Sequence, residues 1–383
     1  MVLTRRGHRA RMLITKWLPN EILTEIIQHA PRADQATLCR TSKSIQALTL
    51  PILNRMVVLE HTKDHMESVI DAFLLSMIDN PGRATATRSL KLVSHRTPFK
   101  FSKSTNDLLF RAMELFKSLD HLSLQVAMNH WTLVARLERL TFPLLSKCSI
   151  NIPDHKARVK IVAQFLSRHP TITHLRLWPA QGVSHPISPS DWAAPMLPNL
   201  QHYRGTPALV PAFSTRSLKS MVASLDPPDY AVLRPLANPE LPFAMSVVTY
   251  SDVHGQDLMP KTLRSLSEHM PFVTQLRIQR WDRGAKMETH VTDSVEIHLR
   301  LLTRLEHFEL NFAYGYATRH VDRFVIDAES DRQALQAFAD ACPTMKACRL
   351  VDRSWRKADG RWDEYPTKEF QKELGFYELD FMD

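Results

Sequence analysis

Ile172-Thr173-His174-Leu175-Arg176-Leu177 decides the fold, because the same L-x-x-L-x-L arrangement returns throughout the chain. The other clear copies are Leu119–Leu124, Leu145–Ile150, Leu200–Gly205, Val273–Ile278, Leu305–Leu310 and Met345–Leu350. Apolar residues at alternate positions read as a short strand with one face turned inward. Weaker copies sit at Leu90-Lys91-Leu92 and Leu218-Lys219-Ser220-Met221, with another strand signal over Val247 to Tyr250. Pro143, Pro170, Pro198, Pro271 and Pro343 each stand two residues before the first apolar position of a copy. Proline cannot continue a helix and biases the preceding residue towards extended geometry, so it marks where strand entry begins. The segments feeding the copies read as helices: Arg158 to His169, Lys261 to Met270, Asp293 to Thr303 and Ser330 to Ala341. The unit is helix, turn, short strand. Units stacked through parallel strands bury a core that no single unit could make. The predicted class is α/β, with parallel strands inside and helices outside; the alternative is a mixed α/β domain without a regular solenoid.

These copies resemble irregular leucine-rich repeats. Neighbouring clear copies with no weak one between them lie about 26 to 40 residues apart, against 20 to 29 in regular repeats. Ala127, Pro153, Ala180, Trp281, Ala313 and Arg353 stand where regular repeats carry Asn. The solenoid is expected over 58–350. Prolines cluster and periodicity weakens from Gln181 to Pro195 and from Thr206 to Pro260, which predicts loops or degenerate repeats there. Residues 351–383 carry Trp355, Trp362, Tyr365, Phe370, Phe376, Tyr377 and Phe381 in a charged background. A solenoid's end must be covered, so they read as a C-terminal cap.

At the other end, Leu18, Ile22, Leu23, Ile26 and Ile27 recur at helical spacing after Pro19 until Pro31 stops the pattern. A second helix is expected from Asp34 as N-cap through Ala36, Leu38 and Cys39. A third, from Ser42 or Ser44, carries Ile45, Leu48, Ile52 and Leu53. So small a unit cannot bury all this apolar surface by itself. Residues 15–57 resemble the F-box in Leu18-Pro19-x-Glu21-Ile22-Leu23-x-x-Ile26-Ile27, Asp34, Leu38-Cys39 and Ser42-Lys43. The trailing Leu48-x-Leu50-Pro51-x-Leu53 is an ending common in fungal members. The chain departs from many members in having Ile45 where they carry Trp or Phe. In that family the helices dock on a Skp-type adaptor, which hangs the protein from a cullin ubiquitin ligase. The resemblance therefore implies adaptor contacts from Leu18, Pro19, Glu21, Ile22, Ile26, Leu38, Ser42 and Lys43. The alternative is a three-helix subdomain that packs on its own chain.

Composition bounds the remaining choices. With 383 residues, 44% of them hydrophobic, the chain is not wholesale disordered. It has no run of eighteen apolar residues and no apolar leader, so a cytoplasmic or nuclear protein is expected, with no membrane partner. The net charge of +9 is concentrated in the first twenty residues, where Arg5, Arg6, Arg9, Arg11 and Lys16 meet no acid. Residues 1–14 read as a basic flexible arm, with nuclear localisation, phosphate contact or a mitochondrial-type leader as alternatives. Nucleic acid is not the expected partner, because the remaining 363 residues carry only +4.

No catalytic, cofactor or metal site is legible. No two of the nine glycines lie closer than fifteen residues, which excludes G-x-G-x-x-G and the Walker loop. Gly182-Val183-Ser184-His185-Pro186 has proline where a nucleophile elbow needs its second glycine, and Thr62 replaces the glutamate of a zinc-protease motif between His61 and His65. Cys39, Cys148, Cys342 and Cys348 form no C-x-x-C pair and read as reduced core residues.

Alternation within each copy sends the third and fifth positions together to the face opposite the core. Stacking then predicts a patch of His174, Arg176, His202 and Arg204, with Trp178 beside it and Arg277 on a later copy. Such a patch would take an acidic or phosphorylated segment of a target through bidentate Arg contacts. The alternative is that these are solvated residues of a repeat consensus. The reading that follows is a non-catalytic substrate receptor of a Skp-cullin-F-box ligase; the alternative is a repeat-based interaction scaffold without a ligase role. Because no cysteine is placed for chemistry, replacing all four by Ala or Ser should leave adaptor binding intact in pull-down, and no ubiquitin thioester should be trapped on the chain.

Overall fold

A computed structural model describes residues 18–61, 67–94, 101–125, 135–152, 156–179, 192, 197–213, 217–223, 242–250, 259–282, 289–314, 328–350 and 353–373. The basic arm, most of Gln181 to Pro195, and Phe376, Tyr377 and Phe381 lie outside them. The chain divides into two compact units, 1–146 and 147–383.

The first unit opens with three helices. Pro19, with φ −55° and ψ 149°, precedes α1 (Asn20–His29), which turns Leu23 and Ile27 inward. Helix α2 (Arg32–Leu38) begins directly after Pro31, three residues before the position where an Asp34 cap would place it, since proline's fixed φ already suits a helix start. Buried Gln35 donates from Nε2 to the Ile27 and Ala30 carbonyls at 2.9 and 3.0 Å, satisfying acceptors that the end of α1 leaves open. Helix α3 (Lys43–Leu53) is capped by the Ser42 hydroxyl, which accepts from the Ile45 N–H at 3.2 Å. The Arg32 guanidinium donates to the Leu53 carbonyl at 2.9 Å and so ties the start of α2 to the end of α3. The unit continues with β1 (Met56–His61), α4 (Glu67–Asp79), α5 (Pro81–Ala86), β2 (Ser89–Ser94), α6 (Lys103–Glu114) and β3 (His121–Gln125). All three strands run parallel, β1 on β2 and β2 on β3. Strand β1 begins at Met56, just ahead of the 57/58 boundary expected from the sequence. Helix α3 packs on α5, so the helical segment and the first repeats share one unit.

In the second unit β4 (Lys147–Ile152), β5 (His174–Pro179), β6 (His202–Gly205), β7 (Ser220–Ala223), β8 (Ala244–Tyr250), β9 (Gln275–Asp282), β10 (His307–Tyr314) and β11 (Ala347–Leu350) pair successively in parallel. Helices α7 (Lys156–Ser167), α8 (Met259–His269), α9 (Thr289–Leu299) and α10 (Ala328–Ala341) supply crossovers, which parallel strands require. Every clear copy thus contains a strand in the expected place, and the weak copies are strands too. Two of these, β7 and β8, fall within the proline-rich stretch from Thr206 to Pro260, which therefore holds degenerate repeats rather than loop alone.

Register makes the core. The fourth positions Cys148, Leu175, Tyr203, Met221, Met245, Leu276, Phe308 and Cys348 stand side by side, none more than 1% exposed. The Phe308 ring meets Phe338 of α10 edge-on at 5.7 Å, which places that helix on the fourth-position face. Beyond β11 the sheet ends in an antiparallel hairpin, β12 (Arg353–Ala358) and β13 (Arg361–Tyr365), turned at Asp359 and Gly360 with φ of 50° and 80°. Helix α11 (Thr367–Glu373) follows.

Gly205 departs from the repeat pattern for a packing reason. The Tyr203 side chain runs beneath it to donate from its hydroxyl to the Thr206 carbonyl at 3.1 Å. A Cβ at 205 would collide with that phenol and come within 2.9 Å of the Leu177 carbonyl. Restoring the apolar consensus with Gly205→Leu should therefore lower stability by about 1–3 kcal/mol through overpacking. A urea midpoint equal to that of the parent would contradict this account.

Candidate functional site

Two surfaces carry the candidate residues, one in each unit. On the first, α1 divides its apolar side chains between two directions. Leu23 and Ile27 are buried, whereas Ile22 and Ile26, one turn apart, are 43% and 53% exposed. Pro19, Glu21, Ser42 and Lys43 are exposed, and Leu18 and Leu38 are half-buried. The Ser42 hydroxyl is already engaged as the α3 cap, so its first role is to hold that helix start. Gln35, which joins α1 to α2, was not singled out from the sequence, since a glutamine in a short polar helix gives no signal of burial.

The second surface is the sheet face opposite the fourth positions. Register lines up its fifth positions as Ser149, Arg176, Arg204, Val222, Ser246, Arg277, Glu309, Arg349 and Ser354. We call it the ladder face. It brings His174 beside His202 and Arg176 beside Arg204. The two imidazoles stack at 4.3 Å with an interplanar angle of 26°. Each Nδ1 lies near a hydroxyl, Thr173 at 2.9 Å for His174 and Ser220 at 2.7 Å for His202.

The open cationic patch expected from the sequence is nevertheless corrected in two respects. Arg176 is 5% exposed and Arg277 7%, so neither presents its charge to solvent. Arg277 also stands apart, three strands from Arg204, roughly 14 Å at the usual strand spacing. Arg277 has small Ser246 as its neighbour on one side and Glu309 on the other. Arg277 donates from Nε to the Ser246 hydroxyl at 2.9 Å, and on the next strands Arg349 and Glu309 form a buried ion pair at 2.7 Å. The accessible part of the expected patch is therefore His174, His202 and Arg204, all half-buried. The Trp178 side chain lies outside the described residues.

None of the four cysteines is poised as a nucleophile. Burial pushes the Cys148 and Cys348 thiols far above the ordinary range, and burial is also the leading cause of the upward shift at Cys39 and Cys342. A thiolate is disfavoured at all four. Among the described residues no group of three metal-ligating side chains occurs, and no helix is long and apolar enough to cross a membrane.

Comparison with known proteins bears on the first surface. Residues 16–50 match the F-box domain family. No curated protein is significantly similar in sequence. Among solved structures, a leucine-rich repeat-containing protein, LegL7, from Legionella pneumophila is similar at 13% identity and a TM-score of 0.45, over 83% of this chain and 97% of that one. A Bacteroides fragilis protein is similar at 10% identity and a TM-score of 0.38, over 76% of this chain and 73% of that one. The solenoid assignment rests on the strand register described above.

The buried ion pair makes a separate prediction. Replacing Arg349 by Met removes the Glu309 carboxylate's cationic partner from a buried site and should cost about 3–5 kcal/mol. Adding Glu309→Gln should recover a large share of that loss in chemical denaturation. A double variant as unstable as the sum of the two single ones would show that the pair is not coupled.

Proposed function

We propose that this chain, with an F-box domain at residues 16–50 ahead of a repeat solenoid, is a non-catalytic substrate receptor of a Skp-cullin-F-box ubiquitin ligase. The observation that carries the reading is the outward-facing pair Ile22 and Ile26. Large aliphatic side chains left 43% and 53% exposed on a helix that turns Leu23 and Ile27 inward fit an apolar partner surface, as a Skp-type adaptor would supply. Exposed Pro19, Glu21 and Lys43 and half-buried Leu18 and Leu38 are proposed to add to that contact.

The target is proposed to lie on the ladder face, over His174, His202 and Arg204. A half-buried guanidinium beside two stacked imidazoles suits an acidic or phosphorylated segment, because arginine binds carboxylate or phosphate through two parallel hydrogen bonds. Arg176, beside Arg204 on the neighbouring strand but buried, is not proposed to meet the target directly.

Ile22→Lys would bury an unpaired charge at the adaptor contact and should abolish adaptor pull-down while leaving the thermal melt unchanged. Proteins that accumulate when the gene is deleted should be cleared again by the parent chain but not by Ile22→Lys. Arg204→Glu should keep adaptor binding and lose clearance. If Ile22→Lys captures adaptor as the parent does, the receptor reading fails; if it loses adaptor yet still clears the accumulated proteins, the chain works as a scaffold outside the ligase.

A further inference from the structure

The ladder face is not uniform. At its third and fifth positions most strands carry His, Lys, Gln, Ser, Arg or Glu, but three positions are small and apolar: Val222 on β7, Ala244 on β8 and Ala347 on β11. Phe370 of α11 fills the space they leave. Its ring is fully buried and clusters with Val222 and Ala347, with Ala244 and Tyr365 packed against the same cluster. Tyr365 lies 6.1 Å from it, centroid to centroid. A second link holds the helix to this face: Ser354, paired with Arg349 and therefore on the same side, donates its hydroxyl to that of Thr367 at 3.2 Å.

Phe370 is the one fully buried residue of α11 among those described, while Lys368 and Glu369 are exposed and Thr367 and Gln371 half-buried. Phe370 and Thr367 tie the described part of α11 to this face. Strands β9 and β10 lie between β8 and β11 in the pairing order. Arg277, Glu309 and Arg349 thus fall within the span of strands that the Phe370 cluster bridges, and they are 7%, 2% and 7% exposed.

We propose that the β7–β11 stretch of the ladder face is a seat for an aromatic side chain carried on a short helix, and that the chain's own α11 fills it as a removable plug over Arg277, Glu309 and Arg349. The inference deepens the target-site reading, since a target on the ladder face meets that charged trio only once α11 leaves; the docking of α11 is tested without any target.

The test is footprinting of the full chain with an arginine-selective glyoxal and, separately, N-ethylmaleimide, read by mass spectrometry. In the parent, Arg277 and Arg349 should be protected. In Phe370→Ala their labelling should rise about tenfold, while Phe370→Leu, which keeps apolar volume, should stay near the parent. Arg176 lies on β5, outside the span, and should not change. Cys148 and Cys348 sit on the opposite, fully buried face and should remain unlabelled, which separates release of α11 from unfolding. If Arg277 and Arg349 stay protected in Phe370→Ala, or if the cysteines become reactive together with them, α11 is not a removable plug and the inference is overturned.

Discussion

Everything in the second unit depends on in-register parallel pairing of strands only four to eight residues long. No strand of that length is stable alone, and a parallel pair needs a crossover before it can form at all. Stacking solves both problems at once, because each strand adds one fourth-position side chain to a continuous buried row. The prolines that end the helices, the helices that return the chain and the turns between them all serve to deliver the next strand at the same height.

The same register decides the chemistry of the other face. Once fourth positions align, fifth positions must align too, and the charges they carry become neighbours about 4.8 Å apart whatever their sign. Arg277, Glu309 and Arg349 alternate in sign, and Arg349 and Glu309 sit as a buried pair. Arg176 and Arg204 are like charges side by side, and there the ladder keeps Arg204 half-open to solvent. The row of polar and charged side chains on this face is thus a consequence of how the core is built, and Ser246 accepts a hydrogen bond from Arg277 within it.

The helical segment solves a different problem. Its helices are too short to bury all their apolar residues, and α1 allots Leu23 and Ile27 to its own core and Ile22 and Ile26 to the outside. Gln35 and Arg32 then hold the three helices together by closing carbonyls at helix ends, so the outward pair is carried on a braced surface. That bracing holds the helix on which Ile22 and Ile26 stay exposed.

Local pattern alone determined the α/β class, the strands of the seven clear copies, the helices ahead of Ile172, Val273, Leu305 and Met345, and the F-box helices, because each is announced by periodicity or by proline within a few residues. Even the closing hairpin has its signature in Asp359-Gly360, although that dipeptide was not read as a turn from the sequence. Strand β1 was also missed, since only Asn54 and Arg55 separate the end of α3 from Met56–His61. Tertiary structure decided what is open and what is covered. Alternation could say that Arg176 and Arg277 leave the core face, but not that they would be buried there, because burial depends on what lies above a side chain. What lies above part of the ladder is α11, placed by Phe370 against residues from 23 to 148 positions earlier in the chain. Contacts at such separations leave no periodicity to read, so the site's final shape emerges only when the sheet is assembled.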